Sequence, residues 1–517
     1  MDRILIVGAG TMGAGIAFVA ARAGYAVDLV EPDAEMRAKA SGAFDASARV
    51  RLLESLPPAS DAVLAVEAVP ERLDLKRDVF ARLAESLPPT ALLATNTSSL
   101  CVSEIARGVA HPERVLGMHF FNPPAAMRLV EIVRGEQTGD EAIERARGFV
   151  ARFEKTGVVA ADTPGFIVNR IARPYYLEAL RAYAAGAAPL DELDLLARGI
   201  GFRMGPFELM DLIGLDVNLA TTQSVYERMQ AERFAPVALQ REMVAAGRLG
   251  RKTKAGFYDY ADGVPAHADD ARPSAGEKDD AERIVVIGLS DAALAFTELL
   301  SQRFAYVERV ENDELFDEIG AEATVVVDVG DGVSDRTDTI RELDGLLPPQ
   351  TAIFVDAYAT DVAALAKRLN HPERLVGYGI LGSFDTQRAV EIVDADATGD
   401  DALELAAELF EAIGKRVVLV GETPVLFLGR LVGSIVNEAV TAVQEGVAAV
   451  DDVDLAMRLG TNYPIGPIAW GREIGGARLS RILHRLAAAE GEAFAPHRSL
   501  WVLDVEDDAD PQAVAPE

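Results

Sequence analysis

The sequence predicts an α/β protein: a doubly wound, mostly parallel sheet domain followed by an all-helical domain, with the pair duplicated in degenerate form. Three observations carry this. Short apolar strands alternate with helical stretches through residues 1–160, which is the βαβ rhythm of a parallel sheet. From about Thr163 to Tyr226 the text turns helical, with Gly and Pro punctuation at Gly201 to Pro206. After residue 282 the chain starts again, because Arg283 to Gly288 (RIVVIG) echoes Arg3 to Gly8 (RILIVG).

Taken in order, Ile4 to Val7 reads as a buried strand, Gly8 to Gly24 as a turn and helix, and Val27 to Val30 as a second strand ending at Glu31. Ala62 to Ala68, Ala91 to Thr95 and Val115 to His119 read as further strands, each an apolar run too short for a helix. Residues 261–282 are rich in Ala, Asp, Gly and Pro and read as a linker. The repeat then holds one offset of 260 positions. His111-Pro112-Glu113-Arg114 returns as His371-Pro372-Glu373-Arg374, Val130 to Val133 as Val390 to Val393, and Asp162-Thr163-Pro164 as Glu422-Thr423-Pro424. Gly205-Pro206 has its later counterpart in Gly466-Pro467. A single offset across separate motifs signals internal duplication. The expected domains are 1–160, 161–260, a linker at 261–282, 283–420, 421–503, and a frayed acidic tail at 504–517.

A chain of 517 residues, half of them hydrophobic, is too long for one core and too apolar for general disorder. The 82 Asp and Glu outweigh the 50 Lys and Arg, for a net charge of −32. That balance repels nucleic acid and anionic membrane surfaces. It also repels phosphate-bearing ligands, so any phosphate site must rest on backbone N–H groups or a few local cations. Cys101 is the only cysteine, which fits a reducing compartment and reads as a small packing residue before it reads as a catalytic thiol. No apolar run is long enough to span a bilayer, and the first strand leaves no room for a signal peptide. The expected location is the cytoplasm.

Gly8-Ala9-Gly10-Thr11-Met12-Gly13 is a G-x-G-x-x-G turn between a strand and a helix, the context a Rossmann-type dinucleotide site requires. Gly8 serves the tight turn, Gly10 the approach of the pyrophosphate, and Gly13 close helix–strand packing, with Thr11 and Met12 opening the helix. Glu31 ends the second strand. A carboxylate there bonds ribose hydroxyls and repels a 2′-phosphate, so the expected cofactor is NAD and not NADP. No metal is expected.

At Asn96-Thr97-Ser98-Ser99, His119-Phe120-Phe121-Asn122-Pro123, Glu131 and Asp162 to Arg170 (DTPGFIVNR), the chain resembles the 3-hydroxyacyl-CoA dehydrogenase family. The resemblance runs from residue 1 to about 260, where Gly247 to Tyr260 (GRLGRKTKAGFYDY) is similar to the family's closing signature. More narrowly, Arg170 to Tyr176, Asp211 to Asn218 and Ala456 to Trp470 resemble the long two-unit enzymes of phenylacetate breakdown that oxidise 3-hydroxyadipyl-CoA. The resemblance implies NAD-dependent oxidation of an L-3-hydroxyacyl-CoA, and it places Glu71, Lys76, Asn96, Asn122 and Lys252 along the NAD pocket. The alternatives are a 3-hydroxybutyryl-CoA dehydrogenase of fatty-acid and butanoate metabolism, or a catalytically idle nucleotide-binding scaffold.

The chemistry also follows from the residues. Oxidising a secondary alcohol sends a hydride to nicotinamide and a proton to a base, and histidine titrates near working pH. His119 follows an apolar strand, so it falls at the carboxyl edge of the sheet, where open α/β sheets bind ligands. Alone it reads more simply as a strand-end histidine bonded to backbone. Beside Asn122, Glu131 and the glycine motif, the catalytic reading prevails. Glu131, set in the apolar run Leu129 to Val133, is the natural group to orient the imidazole and stabilise the imidazolium. By resemblance, Ser98 and Asn169 donate to the substrate's C3 oxygen. Left to themselves, Ser98 caps a helix and Asn169 is a core amide.

Two departures stand out. The family's long charged helical arm, which grips CoA, is shortened here to roughly Ala34 to Leu56. In the second half, Tyr358 stands where Ser98 does, Gly379 where His119 does and Gly429 where Asn169 does, and only Glu391 keeps its type. The glycine turn becomes Gly288-Leu289-Ser290-Asp291-Ala292-Ala293. The second half is therefore expected to bind no NAD and to act as a built-in partner, making the chain an intrachain pseudo-dimer, with further association into a homo-oligomer left open.

Overall fold

The structure, a computed structural model, describes residues 2–42, 44, 49–263, 279–311 and 319–504. Most of the predicted linker and all of the acidic tail beyond Asp504 lie outside the described residues. The eight strands of the first sheet are β1 (Arg3–Val7), β2 (Ala26–Val30), β3 (Val50–Leu53), β4 (Leu64–Glu67), β5 (Leu92–Thr95), β6 (Val115–Phe120), β7 (Leu129–Arg134) and β8 (Thr156–Ala161). Their order is β3-β2-β1-β4-β5-β6-β7-β8. All neighbours pair in parallel except β6 with β7. The order reverses beside β1, and that switch point puts a ligand crevice at the carboxyl ends of the strands.

The second sheet repeats the plan with seven strands: β9 (Asp279–Ile287), β10 (Phe304–Val310), β11 (Val325–Asp328), β12 (Ala352–Asp356), β13 (Leu375–Gly379), β14 (Ala389–Asp394) and β15 (Arg416–Gly421). The order is β10-β9-β11-β12-β13-β14-β15, again with one antiparallel pair, β13 with β14. Each sheet has its own core, one around Ile4, Ile6, Leu29, Leu64 and Ile132 and the other around Ile284, Val286, Phe296, Phe354 and Ile392.

Two expectations need correction. Among the described residues of the shortened arm, only Ala34–Ser41 is helical, and Val50–Leu53 forms an edge strand beside β2. Four residues of apolar and basic text are too few to announce a strand without their partner. At the other boundary, β9 already begins at Asp279, inside the stretch read as linker.

The chain divides into two compact units that do not follow the order of the sequence. The first comprises Met1–Ala172, Gln223–Gln230 and Thr441–Pro467; the second comprises Arg173–Thr222, Ala231–Val440 and Ile468–Glu517. The helix Val450–Thr461, from the second half, therefore packs on β7, β8 and the short helix Val168–Ile171 in the first unit. Its pseudo-repeat partner Leu190–Gly199 packs on β14 and β15 in the second. Tight packing explains the glycines on both helices: a Cβ at Gly460 would lie 2.9 Å from Leu129 Cδ2, and one at Gly199 would lie 2.5 Å from Ala389 Cβ. No helix among the described residues is long and apolar enough to cross a membrane.

Candidate active site

The nucleotide turn is shaped by what a side chain would strike. Gly8 has φ +100°, and a Cβ there would lie 2.6 Å from the Ala68 carbonyl oxygen. At Gly13 it would lie 1.8 Å from the Gly8 carbonyl oxygen, so only glycine lets the helix Thr11–Arg22 sit against β1. Gly10 differs, because its Cβ would meet nothing nearer than the Met36 methyl at 4.0 Å. That open space, at the start of a twelve-residue helix with no side-chain cap, is the room a pyrophosphate needs. Thr11 is exposed there and Met12 is half-buried against the core.

Glu31 is 7% exposed; one carboxylate oxygen accepts from Ala9 N at 2.9 Å and the other from Asp33 N at 3.0 Å. The strand-end carboxylate is thus fixed beside the turn and not left in solvent. The cradle fits NAD.

The wall beside it is a buried charge network. Lys76, 1% exposed, reaches Glu67 at 2.7 Å and Glu71 at 3.2 Å. Its charge is matched by two carboxylates, so it is neither a solvated lysine nor a free cation. Glu67, the last residue of β4 where Glu31 is the first residue after β2, also accepts from Thr95 Oγ1 at 2.8 Å and Val69 N at 2.7 Å. Sequence reading passed over it, although its place at a strand end was the available signal. Glu71 Oε1 accepts from Ser98 N at 3.1 Å and Ser99 N at 3.0 Å, and from the Thr97 hydroxyl. Burial works to raise the Glu71 pKa, but Lys76 and the hydroxyls of Thr97 and Ser99 outweigh it and hold the carboxyl below its usual range. Glu71 thereby fixes the backbone of Ser98, whose side chain stays exposed at the end of β5. Asn96 ties β5 to β6 by accepting from Phe120 N at 2.8 Å. Asn122 is exposed, in a cis peptide with Pro123.

His119 and Glu131 face each other across the antiparallel pair β6 and β7. His119 Nδ1 lies 2.6 Å from Glu131 Oε2. Glu131 is fully buried, and its other oxygen accepts from Ile167 N at 3.0 Å and Val168 N at 2.9 Å. Three hydrogen bonds offset the cost of burying this carboxylate. With Nδ1–H donated to Glu131, Nε2 is left as the proton acceptor. Phe121 and Phe166 flank the ring, with centroids 4.6 and 5.8 Å away. Asn169 is half-buried on Val168–Ile171, directly after the amides that hold Glu131.

Cys101 stands apart from this chemistry. Its thiol lies 2.9 Å from Asp162, which also accepts from Val102 N and Ser103 N and so caps the helix Val102–Ala106. Burial, reinforced by that carboxylate, pushes the thiol pKa up, away from the reactive thiolate. Lys252 belongs to the second compact unit, where it pairs with Asp216.

In the second sheet the corresponding place is filled. Glu391 sits opposite Gly379, as Glu131 sits opposite His119. The Tyr358 hydroxyl donates to Glu391 at 2.6 Å, and both groups are buried. A Cβ at Gly379 would lie 2.4 Å from Leu426 Cδ1, and one at Gly429 would lie 2.5 Å from Tyr358 Cε1. Leu426 therefore takes the volume that a side chain at 379 would need, and the tyrosine ring takes that at 429. Burial without a cationic partner pushes Glu391 up to about 7. At the degenerate turn, the Ser290 hydroxyl accepts from Ala293 N and caps the helix Asp291–Ser301 itself.

Comparison with known proteins agrees with this geometry in both halves. The family described as 3-hydroxyacyl-CoA dehydrogenase, NAD binding domain, matches residues 3–163 and 246–423, and its C-terminal domain matches 165–260 and 427–508. The chain is similar to a 3-hydroxyadipyl-CoA dehydrogenase of Escherichia coli K12, 37% identical over an alignment covering 95% of each chain. It is also similar to a 3-hydroxybutyryl-CoA dehydrogenase of Bradyrhizobium diazoefficiens, at 36% identity over 51% of this chain and 97% of that one. Among solved structures it resembles a 3-hydroxybutyryl-CoA dehydrogenase from Escherichia coli K12, with a TM-score of 0.75 and 33% identity over 97% of this chain and 98% of that one.

Proposed function

The chain belongs to the 3-hydroxyacyl-CoA dehydrogenase family, and from that premise we propose that it oxidises L-3-hydroxyadipyl-CoA at C3. As a member of the family it is an oxidoreductase of 3-hydroxyacyl-CoA thioesters with an NAD-binding domain. The finer substrate rests on one observation: the resemblance to a protein named for that activity extends through the second half as well as the first. A four-carbon substrate is the second reading, favoured by the name of the full-length structural relative.

In this reading residues 1–160 bind the nucleotide, 161–260 complete the acyl site, and 283–503 serve as the built-in partner. NAD, when bound, supplies the hydride acceptor for C3. His119 Nε2 takes the hydroxyl proton, and Glu131 fixes the tautomer and offsets the imidazolium charge as it forms. The buried setting strengthens that pairing, because little solvent screens it. Ser98 and Asn169 donate to the C3 oxygen. Glu31 selects NAD by meeting the ribose hydroxyls.

Comparing kcat/KM for 3-hydroxyadipyl-CoA, 3-hydroxybutyryl-CoA and longer monocarboxylic thioesters tests the substrate. The reading expects the dicarboxylic thioester to lead. A lead for 3-hydroxybutyryl-CoA would overturn it in favour of the second reading.

A further inference from the structure

The seam between the helix Leu190–Gly199 and the strands β14 and β15 lies inside the second compact unit. Arg388 N donates to Gly199 O at 2.8 Å, and Arg416 N donates to Arg388 O at 2.8 Å. A small open cavity follows this seam. Its lining holds three arginines, Arg198, Arg388 and Arg416, and no acidic residue. Arg388 and Arg416 are exposed, and among the described residues neither side chain has a hydrogen-bond or ion-pair partner. Arg198 reaches Glu208 only at 3.8 Å, and Glu208 also serves Arg251 at 3.2 Å. The Nε and Nη1 of Arg198 are buried without a hydrogen-bond partner.

These arginines do not cap the helix. Its last carbonyls, on Leu196, Ala197, Arg198 and Gly199, are taken by the N–H groups of Ile200, Phe202, Gly201 and Arg388. The helix end supplies only about half a negative charge, against three guanidinium groups that cannot shed theirs. The first compact unit gives an internal comparison, where the helix Val450–Thr461 packs on β7 and β8. The repeat pairs Arg458 with Arg198 and Arg128 with Arg388, but Glu154 stands where Gly414 does and Thr156 where Arg416 does. Glu154 meets Arg22 at 2.7 Å. The second copy thus lacks an acid and carries an added guanidinium, in a chain of net charge −32.

We propose that this cavity binds a phosphate group, held by Arg198, Arg388 and Arg416. Guanidinium forks match phosphate oxygens two at a time, and a bound dianion offsets the repulsion among three like charges. At about 40 Å³ the cavity is far smaller than the pockets that enclose whole organic ligands. It takes the phosphate and leaves whatever carries it outside. The two sources are therefore inorganic phosphate and the 3′-phosphate of a CoA-type nucleotide. Either braces the helix Leu190–Gly199 on the second sheet.

The test heats the full-length chain in rising inorganic phosphate, against sodium chloride of equal ionic strength. Phosphate is expected to raise the unfolding midpoint by about 2–5 °C beyond chloride and to saturate. By calorimetric titration, Arg388→Gln and Arg416→Thr, the latter restoring the residue of the first half, should each weaken phosphate binding about 10-fold or more. Gly10→Asp, which puts charge into the nucleotide turn of the first unit, should leave the phosphate effect intact. Adenosine 3′,5′-bisphosphate titrated into Gly10→Asp then assigns the source. Binding tighter than inorganic phosphate, and lost in Gly10→Asp combined with Arg416→Thr, upholds the site and names the nucleotide; binding no tighter upholds it and names free phosphate. A phosphate effect no larger than that of chloride, one that survives in both arginine variants, or one lost in Gly10→Asp would overturn the proposal.

Discussion

His119 Nδ1 stands 2.6 Å from Glu131 Oε2 across β6 and β7, and at the same register of the second sheet Glu391 has only Gly379 opposite it. One buried carboxylate is kept in both halves. In the first it orients an imidazole, and in the second it accepts from Tyr358. The difference between a working and a filled site therefore reduces to a few side chains on one shared backbone plan.

Cofactor choice follows from Glu31. Its carboxylate is fixed by Ala9 N and Asp33 N beside the glycine turn, where a 2′-phosphate would meet like charge. NAD should exceed NADP in kcat/KM, and Glu31→Ala should narrow the gap. Steady-state kinetics with both cofactors check this; a parent enzyme that prefers NADP would contradict it.

Much of this arrangement was legible because it is local. The first two strands, the turn at Gly8 to Gly13 and Glu31 beyond the second strand lie within some thirty residues of one another, and their patterns belong to the strand–turn–helix itself. The offset of 260 exposed the duplication for the same reason. Three features were not legible. The edge strand Val50–Leu53 depends on β2 for its hydrogen bonds and carries little text of its own. Resemblance places Lys76 at the NAD pocket, but its pairing with Glu67 and Glu71 shows only when the fold brings them beside it. The exchange of Leu190–Gly199 and Val450–Thr461 between the compact units is a choice of partner between two similar apolar faces, and periodicity records the face but not its partner.

Binding stoichiometry should be one NADH per chain by calorimetric titration. The second turn keeps Gly288 alone of the three glycines, and Ser290 caps its own helix. Gly10→Asp should abolish binding and activity, because the side chain would fold into open space and fill the phosphate approach with charge. Two equivalent sites per chain, or activity left in Gly10→Asp, would contradict this.

Stability of the filled site depends on Gly429. Putting asparagine there, as in the first half, drives a Cβ to 2.5 Å from the Tyr358 ring. Gly429→Asn should cost about 1–3 kcal/mol in denaturant unfolding, and Tyr358→Ser in the same chain should return part of it. No loss of stability in Gly429→Asn would contradict the account of how this site is filled.

The buried Glu391 gives a pH signature. Its folded pKa of about 7 stands above the ordinary 4.5, so the folded state holds the proton more tightly than the unfolded chain. The resulting stability is fully present below pH 4.5 and is lost as pH rises to about 7. Its size is at most about 3 kcal/mol. Glu391→Gln should remove this part of the decline, as seen in unfolding midpoints across that window. Parallel pH profiles for parent and variant would contradict it.

The central claim is that one site, built on His119 and Glu131, carries the reaction. Its most direct measurement is NADH formation from a 3-hydroxyacyl-CoA by His119→Ala beside the parent chain, with NADH affinity measured on both. The account predicts a kcat lower by about 10²–10⁴ in the variant with NADH affinity intact, and a smaller loss in Glu131→Gln. An undiminished kcat in His119→Ala would contradict it.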